Sequence, residues 1–191
     1  MTKNRILLVA IVAITILFSS KANAQIKAEA MAGYGFKDGY NIGIGARAGK
    51  DGLIESQKDI YIGGVFAYHL GKTVESSQSF FGQTTTTKST VNLWYLGGDV
   101  GYNVKLEGQS FKLRASAYVG IANISSKFET TGGGGGFGAP TSGSSSEFML
   151  APGATFFFPL GGDLTFGADA RFFIVSNSNA LVINATIGKT F

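Results

Sequence analysis

From residue 26 to the C-terminal Phe191, apolar side chains alternate with polar or very small ones, the period of β-strands that present two unlike faces. The alternation divides into eight segments, 26–36, 40–49, 60–70, 91–104, 111–124, 148–158, 164–174 and 181–191. The cleanest is 164–174, where Leu164, Phe166, Ala168, Ala170, Phe172 and Ile174 oppose Thr165, Gly167, Asp169, Arg171 and Phe173. In 40–49 the apolar row runs Tyr40, Ile42, Ile44, Ala46, Ala48. Segment 148–158 is apolar on both faces, so its alternation leaves the register open. Asp38-Gly39 predicts a tight hairpin turn, and 105–110 and 159–163 read as short turns too. Residues 71–90 and 125–147 are long, polar and rich in Ser, Thr and Gly, and read as two long external loops. Segment 50–59 fits this scheme badly, being a turn at the otherwise short-turned end that is longer than 37–39.

Such alternation suits a soluble barrel with an apolar inside or a membrane barrel with an apolar outside. Three features favour lipid outside. Alanine dominates the centres of the apolar rows (Ala28, Ala30, Ala32, Ala115, Ala117, Ala168, Ala170), while Tyr34, Phe36, Tyr40, Tyr102, Phe111 and Phe172 lie nearer the ends, as interfacial girdles do. The opposite face is small and sparsely charged, unlike a water-exposed surface. The chain also ends in phenylalanine. A charge in mid-membrane costs roughly 2–4 kcal/mol for Arg or Lys. Slipping the register by one residue would send Arg47, Asp99, Arg114, Asp169 and Arg171 into lipid together, a penalty comparable to a domain's whole stability of about 5–15 kcal/mol. The expected fold is therefore all-β: an eight-stranded antiparallel up-and-down transmembrane β-barrel. Lys189 falls on the lipid face, close enough to the strand end to reach the headgroups.

The N-terminus adds a destination. Lys3 and Arg5 precede an apolar run over 6–18, which is too short to span a bilayer as a helix. Ala22-Asn23-Ala24 follows, a small-residue cleavage site. This predicts a signal peptide over 1–24, cut between Ala24 and Gln25, and a barrel domain over 25–191. Of 16 basic residues, Lys3, Arg5 and Lys21 leave with the leader, so 13 remain against 12 acidic ones. The precursor's positive charge thus gives no reason to expect a nucleic-acid partner. With no cysteine and one histidine, lipid attachment through cysteine, disulfides and thiolate or multi-histidine metal sites are all excluded, and no cofactor is expected.

The leader, the alternating strands and the terminal Phe191 resemble the small outer-membrane barrels of the OmpA/OmpX type, among the porin-like β-barrel domains. The resemblance implies residence in the outer membrane of a Gram-negative bacterium, contact with its lipid and lipopolysaccharide, and periplasmic chaperones during biogenesis. It also implies that the last strand is read by the barrel-assembly machinery. Ile183, Ala185, Ile187 and Phe191 match that signal, and Lys189 departs from it.

Eight charged side chains are expected inside: Lys27, Glu29, Arg47, Asp99, Lys112, Arg114, Asp169 and Arg171. Buried ions must be paired or hydrated. We expect Glu29, Asp99 and Asp169 to pair with Arg47, Arg114 and Arg171, forming a network that plugs the lumen, the alternative being a charged constriction that selects solutes. His69, with Glu75, Ser76 and Ser77 nearby in sequence, is the one candidate for lipid-modifying catalysis, but no nucleophile motif accompanies it, and we expect no enzyme. The glycine run 132–138 lacks the Lys-Ser/Thr of a phosphate loop and reads as flexible loop, as does the threonine run 84–87. These readings favour a structural or surface-interaction protein over a narrow pore for small solutes, with a surface ligand that the sequence does not name.

Overall fold

A computed structural model describes residues 26–37, 40–54, 56–132, 140–176 and 178–191. The expected leader, its cleavage site at Ala22, Ala24 and Gln25, the Asp38-Gly39 turn and most of the glycine run lie outside the described residues. The strands are β1 (Ile26–Gly35), β2 (Ile42–Asp51), β3 (Ile60–His69), β4 (Thr73–Phe80), β5 (Gln83–Val104), β6 (Lys112–Gly132), β7 (Thr141–Gly161), β8 (Leu164–Val175) and β9 (Ala180–Thr190). They form one antiparallel sheet in the order β3-β2-β1-β9-β8-β7-β6-β5-β4, and β3 also pairs with β5, closing the ring.

β3 and β4 are two parts of one stave. Both pair with β5, through His69↔Leu93 and then Thr73↔Thr90, a step of one residue. The step is a bulge at Gly71, whose amide donates to Asn92 Oδ1 at 3.0 Å. A Cβ there would lie 1.1 Å from the Val91 carbonyl oxygen, so only glycine fits. The barrel therefore has the expected eight staves.

The two expected long loops are strands instead. Residues 73–90 form a hairpin turning at Phe81 (φ 48°) and Gly82 (φ 77°). β5 pairs with β6 as far as Thr85↔Gly132, and β6 with β7 as far as Phe128↔Thr141. Four strands thus rise past the rim as a continuous sheet, a sail made mostly of Ser and Thr. Both its faces meet water, so no hydrophobic alternation marks it, and only threonine's preference for extended backbone hinted at it. Its outward face carries cross-strand hydroxyl pairs, Thr73–Thr90, Ser77–Thr86 and Ser79–Thr84 at 2.8–2.9 Å, and the ion pairs Glu75–Lys88 (2.7 Å) and Lys127–Glu129.

Below the sail the faces sort as expected. Phe66, Leu96, Val100, Ile121, Phe166, Phe172, Ile174, Ile183 and Ile187 are exposed on the outside. Register joins the small outward residues into a belt around the barrel at mid-height: Ala30↔Ala46, Ala48↔Gly64, Gly64↔Gly98, Ala115↔Ala154, Ala154↔Ala170 and Ala168↔Ala185. β7 takes a definite register, with Met149, Ala151, Thr155 and Phe157 buried and Phe148, Pro152, Phe156 and Phe158 outside. Pro152 has no amide to give, and the β7–β8 pairing lapses between Leu150↔Ile174 and Gly153↔Arg171.

Candidate functional site

The interior has three levels. At mid-depth lies an ionic cluster built from alternate positions of β1, β2, β5, β6 and β8. Glu29, Arg47, Asp99, Arg114, Asp169 and Arg171 all point inward and are buried. Arg47 is the hub. Its guanidinium bonds Glu29 on β1 and lies 3.4 Å from both Asp99 on β5 and Asp169 on β8. It also donates to the Tyr118 hydroxyl at 3.1 Å and to Thr155 at 3.3 Å. Arg171 holds Asp169 at 3.0 Å, stands 3.9 Å from Asp99 and donates to Ser116 Oγ at 2.7 Å. Its guanidinium carbon is 3.5 Å from the centre of the Tyr118 ring. Arg114 stacks on Tyr61 at 3.5 Å and approaches Glu29 at 3.6 Å.

Asp169 is held by more than charge. It accepts from Thr155 at 2.6 Å and from Asn184 at 3.3 Å. Such partners are what make buried ions tolerable, because Coulomb attraction alone rarely offsets desolvation. All three carboxylates thus lie within 4 Å of a guanidinium. Two of the eight expected interior charges stand apart. Lys27 pairs with Asp51 at the short-turn end, and Lys112 is exposed there.

Towards the sail the lumen is apolar. Tyr40, His69, Tyr95, Tyr118 and Phe173 pack together with ring centres 5.0–6.3 Å apart, alongside Met31, Leu93, Met149, Val175 and Val182. Strand alternation alone does not reveal this aromatic level. Tyr95, Tyr118 and Phe173 were assignable to the inner face, but their common height depends on strand stagger. Tyr40 corrects an expectation: it lies inside, fully buried, its hydroxyl donating to the Ser178 carbonyl at 3.0 Å, and is no part of the outer girdle. It precedes the first residue of β2, so strand alternation does not govern it.

His69 is buried, with Nδ1 2.9 Å from the Tyr40 carbonyl oxygen. Its candidate partners lie elsewhere. Glu75 and Ser77 sit on the sail's outer face, bonded to Lys88 and Thr86. The third level, at the short-turn end, is a cavity of about 550 Å³ lined in part by Lys27, Asp51, Lys112 and Phe157.

A closed antiparallel sheet with apolar side chains outside and ions within defines a transmembrane β-barrel. Its fold is that of the small outer-membrane barrels. A major outer membrane protein from Thermus thermophilus superposes with a TM-score of 0.64 at 11% identity, covering 89% of this chain and 100% of that one. The N-terminal β-barrel domain of Pseudomonas aeruginosa OprF gives 0.53 at 14% identity, over 87% of this chain and 97% of that one. Ail, the attachment invasion locus protein of Yersinia pestis, gives 0.52 at 12% identity, over 88% and 97%. No family model and no curated protein matches the chain. At such identities the likeness is one of fold.

Proposed function

We propose that the chain is exported through a cleaved leader and resides in the outer membrane of a Gram-negative bacterium as a closed barrel that displays the sail to the outside. The reading gives it a structural or surface-interaction role and no catalytic one. The observation that carries it is the Arg47 cluster, which reaches from one wall to the opposite wall at mid-depth. The sail supports the second half. It ends in two strand edges, β4 on one side and the raised part of β7 on the other, and an unpaired edge offers a row of backbone donors and acceptors to a partner.

Lipid and lipopolysaccharide would surround the apolar belt. The barrel-assembly machinery would read β9, where Ile183, Ala185 and Ile187 face outward and Phe191 is 70% exposed. Ile26 and Phe191 meet at the short-turn end, which would face the periplasm.

Conductance in planar bilayers tests the closed barrel. The folded protein should insert without forming channels. Stable, reproducible openings would replace this reading with the narrow pore for small solutes. Incubation with lipid A followed by mass spectrometry should leave every acyl chain in place.

A further inference from the structure

The cavity at the short-turn end is not symmetrical in its charge pairing. Every carboxylate that lines it, Glu107 excepted, is already bonded to a cation: Glu29 to Arg47, Asp51 to Lys27, and Asp59 to Lys105 at 2.8 Å. Among its cations, Lys58, Lys112 and Lys189 have no ion pair among the described residues. Behind the lining sits Arg114, fully buried, its Nε donating to Asn103 Oδ1 at 3.1 Å. Both of its Nη atoms lack a hydrogen-bond partner. Glu29 at 3.6 Å and Asp51 at 3.5 Å attract them without bonding them. Arg114 does not itself line the cavity, so it acts on a molecule held there through its charge and not through a hydrogen bond.

Lys112 and Arg114 are two residues apart on the inner face of β6, about 7 Å along the strand, so both charges serve one ligand. Phe157 adds aromatic surface beside them, its ring centre 4.8 Å from the Arg114 guanidinium carbon. A volume of about 550 Å³ matches a small organic molecule.

We propose that this cavity binds an amphiphilic anion, a phosphate- or carboxylate-bearing molecule whose charged group rests on Lys112, with the charge of buried Arg114 behind it, and whose carbon body lies against Phe157. A cation meets carboxylates that already carry an ion pair, Glu29, Asp51 and Asp59, with Glu107 the exception among the described residues. A bare inorganic ion leaves the aromatic wall unused. The ligand enters from the short-turn mouth and needs no open bore, so the inference stands apart from the conductance result.

The test uses the mature chain folded in a neutral maltoside detergent, titrated calorimetrically with phenyl phosphate and, separately, with phenylacetate. At least one should bind saturably, more weakly as salt rises, and at least about tenfold more tightly than inorganic phosphate. Lys112→Glu should weaken binding by about tenfold or more. That side chain is exposed, so the variant keeps its fold. Lys88→Glu, on the sail at the other end, should bind as the parent does. Saturation by neither probe up to about 10 mM overturns the proposal. So does a Lys112→Glu variant that binds like the parent, or inorganic phosphate binding as tightly as the aromatic anions.

Discussion

Arg47 and Thr155 touch across the whole bore: the guanidinium on β2 donates to the hydroxyl on β7 at 3.3 Å, and in the ring of staves three others separate them on either side. One side chain thereby ties opposite walls while neutralising acids from three further strands.

Removing it leaves Glu29, Asp99 and Asp169 buried with Arg114 and Arg171 alone to serve them. Arg47→Ala should cost about 3–5 kcal/mol, the usual penalty for stranding a buried charge. Urea unfolding in phospholipid vesicles, followed by tryptophan emission, measures it. An unchanged midpoint would show that the hub contributes nothing to holding the walls together. Thr155→Val loses a neutral donor and should cost roughly 1–3 kcal/mol.

The outward face has its own test. Ala170→Arg places a charge near the middle of β8 and should cost roughly 2–4 kcal/mol, whereas Leu181→Arg at the end of β9 should cost about 0–1 kcal/mol. Equal costs would contradict the placement of the apolar belt in the membrane.

At the foot of the sail, Gly71→Ala drives a methyl group into the Val91 carbonyl. The bulge must open, at about 1–3 kcal/mol. The loss should appear as faster amide exchange along β4 and the facing part of β5, with the amides of β8 and β9 unchanged.

The tip carries strain of another kind. Phe81 holds a left-handed conformation, φ 48°, while 92% exposed. Phe81→Asn suits the two-residue turn and should steady the hairpin by about 1 kcal/mol, read as slower exchange at its outermost amides.

One ion pair of the sail reports on pH. A hydrogen bond from Lys127, reinforced by its charge, holds the Glu129 carboxyl below the ordinary glutamate range. A carboxyl lowered on folding stabilises the fold above its unfolded pKa and loses that contribution as pH falls through the lowered value. Carboxyl carbon shifts should therefore show Glu129 titrating below a free glutamate, and Lys127→Ala should move the midpoint upward.

The stave pattern and its inside-out sense were legible because a lipid-facing charge is so expensive that it leaves a mark at every second residue. Asp169 and Arg171 carry that mark most plainly. The ionic partners were legible as types, since few cations and acids share the inner face. Three things were hidden. The sail has water on both sides, so its Ser and Thr runs hold no period. The aromatic level joins His69, Tyr95 and Phe173 from β3, β5 and β8, whose relative heights follow from shear and not from any one strand. Tyr40 sits in a turn, where alternation says nothing.

The belt of alanine and glycine gives the barrel a spool's outline, slender at the waist and flared at both ends by Phe36, Tyr34, Tyr102 and Phe158. Sliding such a body along the bilayer normal would drag its flanges out of the layer they prefer and into acyl chains that fit the waist. Depth of immersion is thus fixed by shape, and with it the distance that Phe81 and the strand edges stand clear of the bilayer.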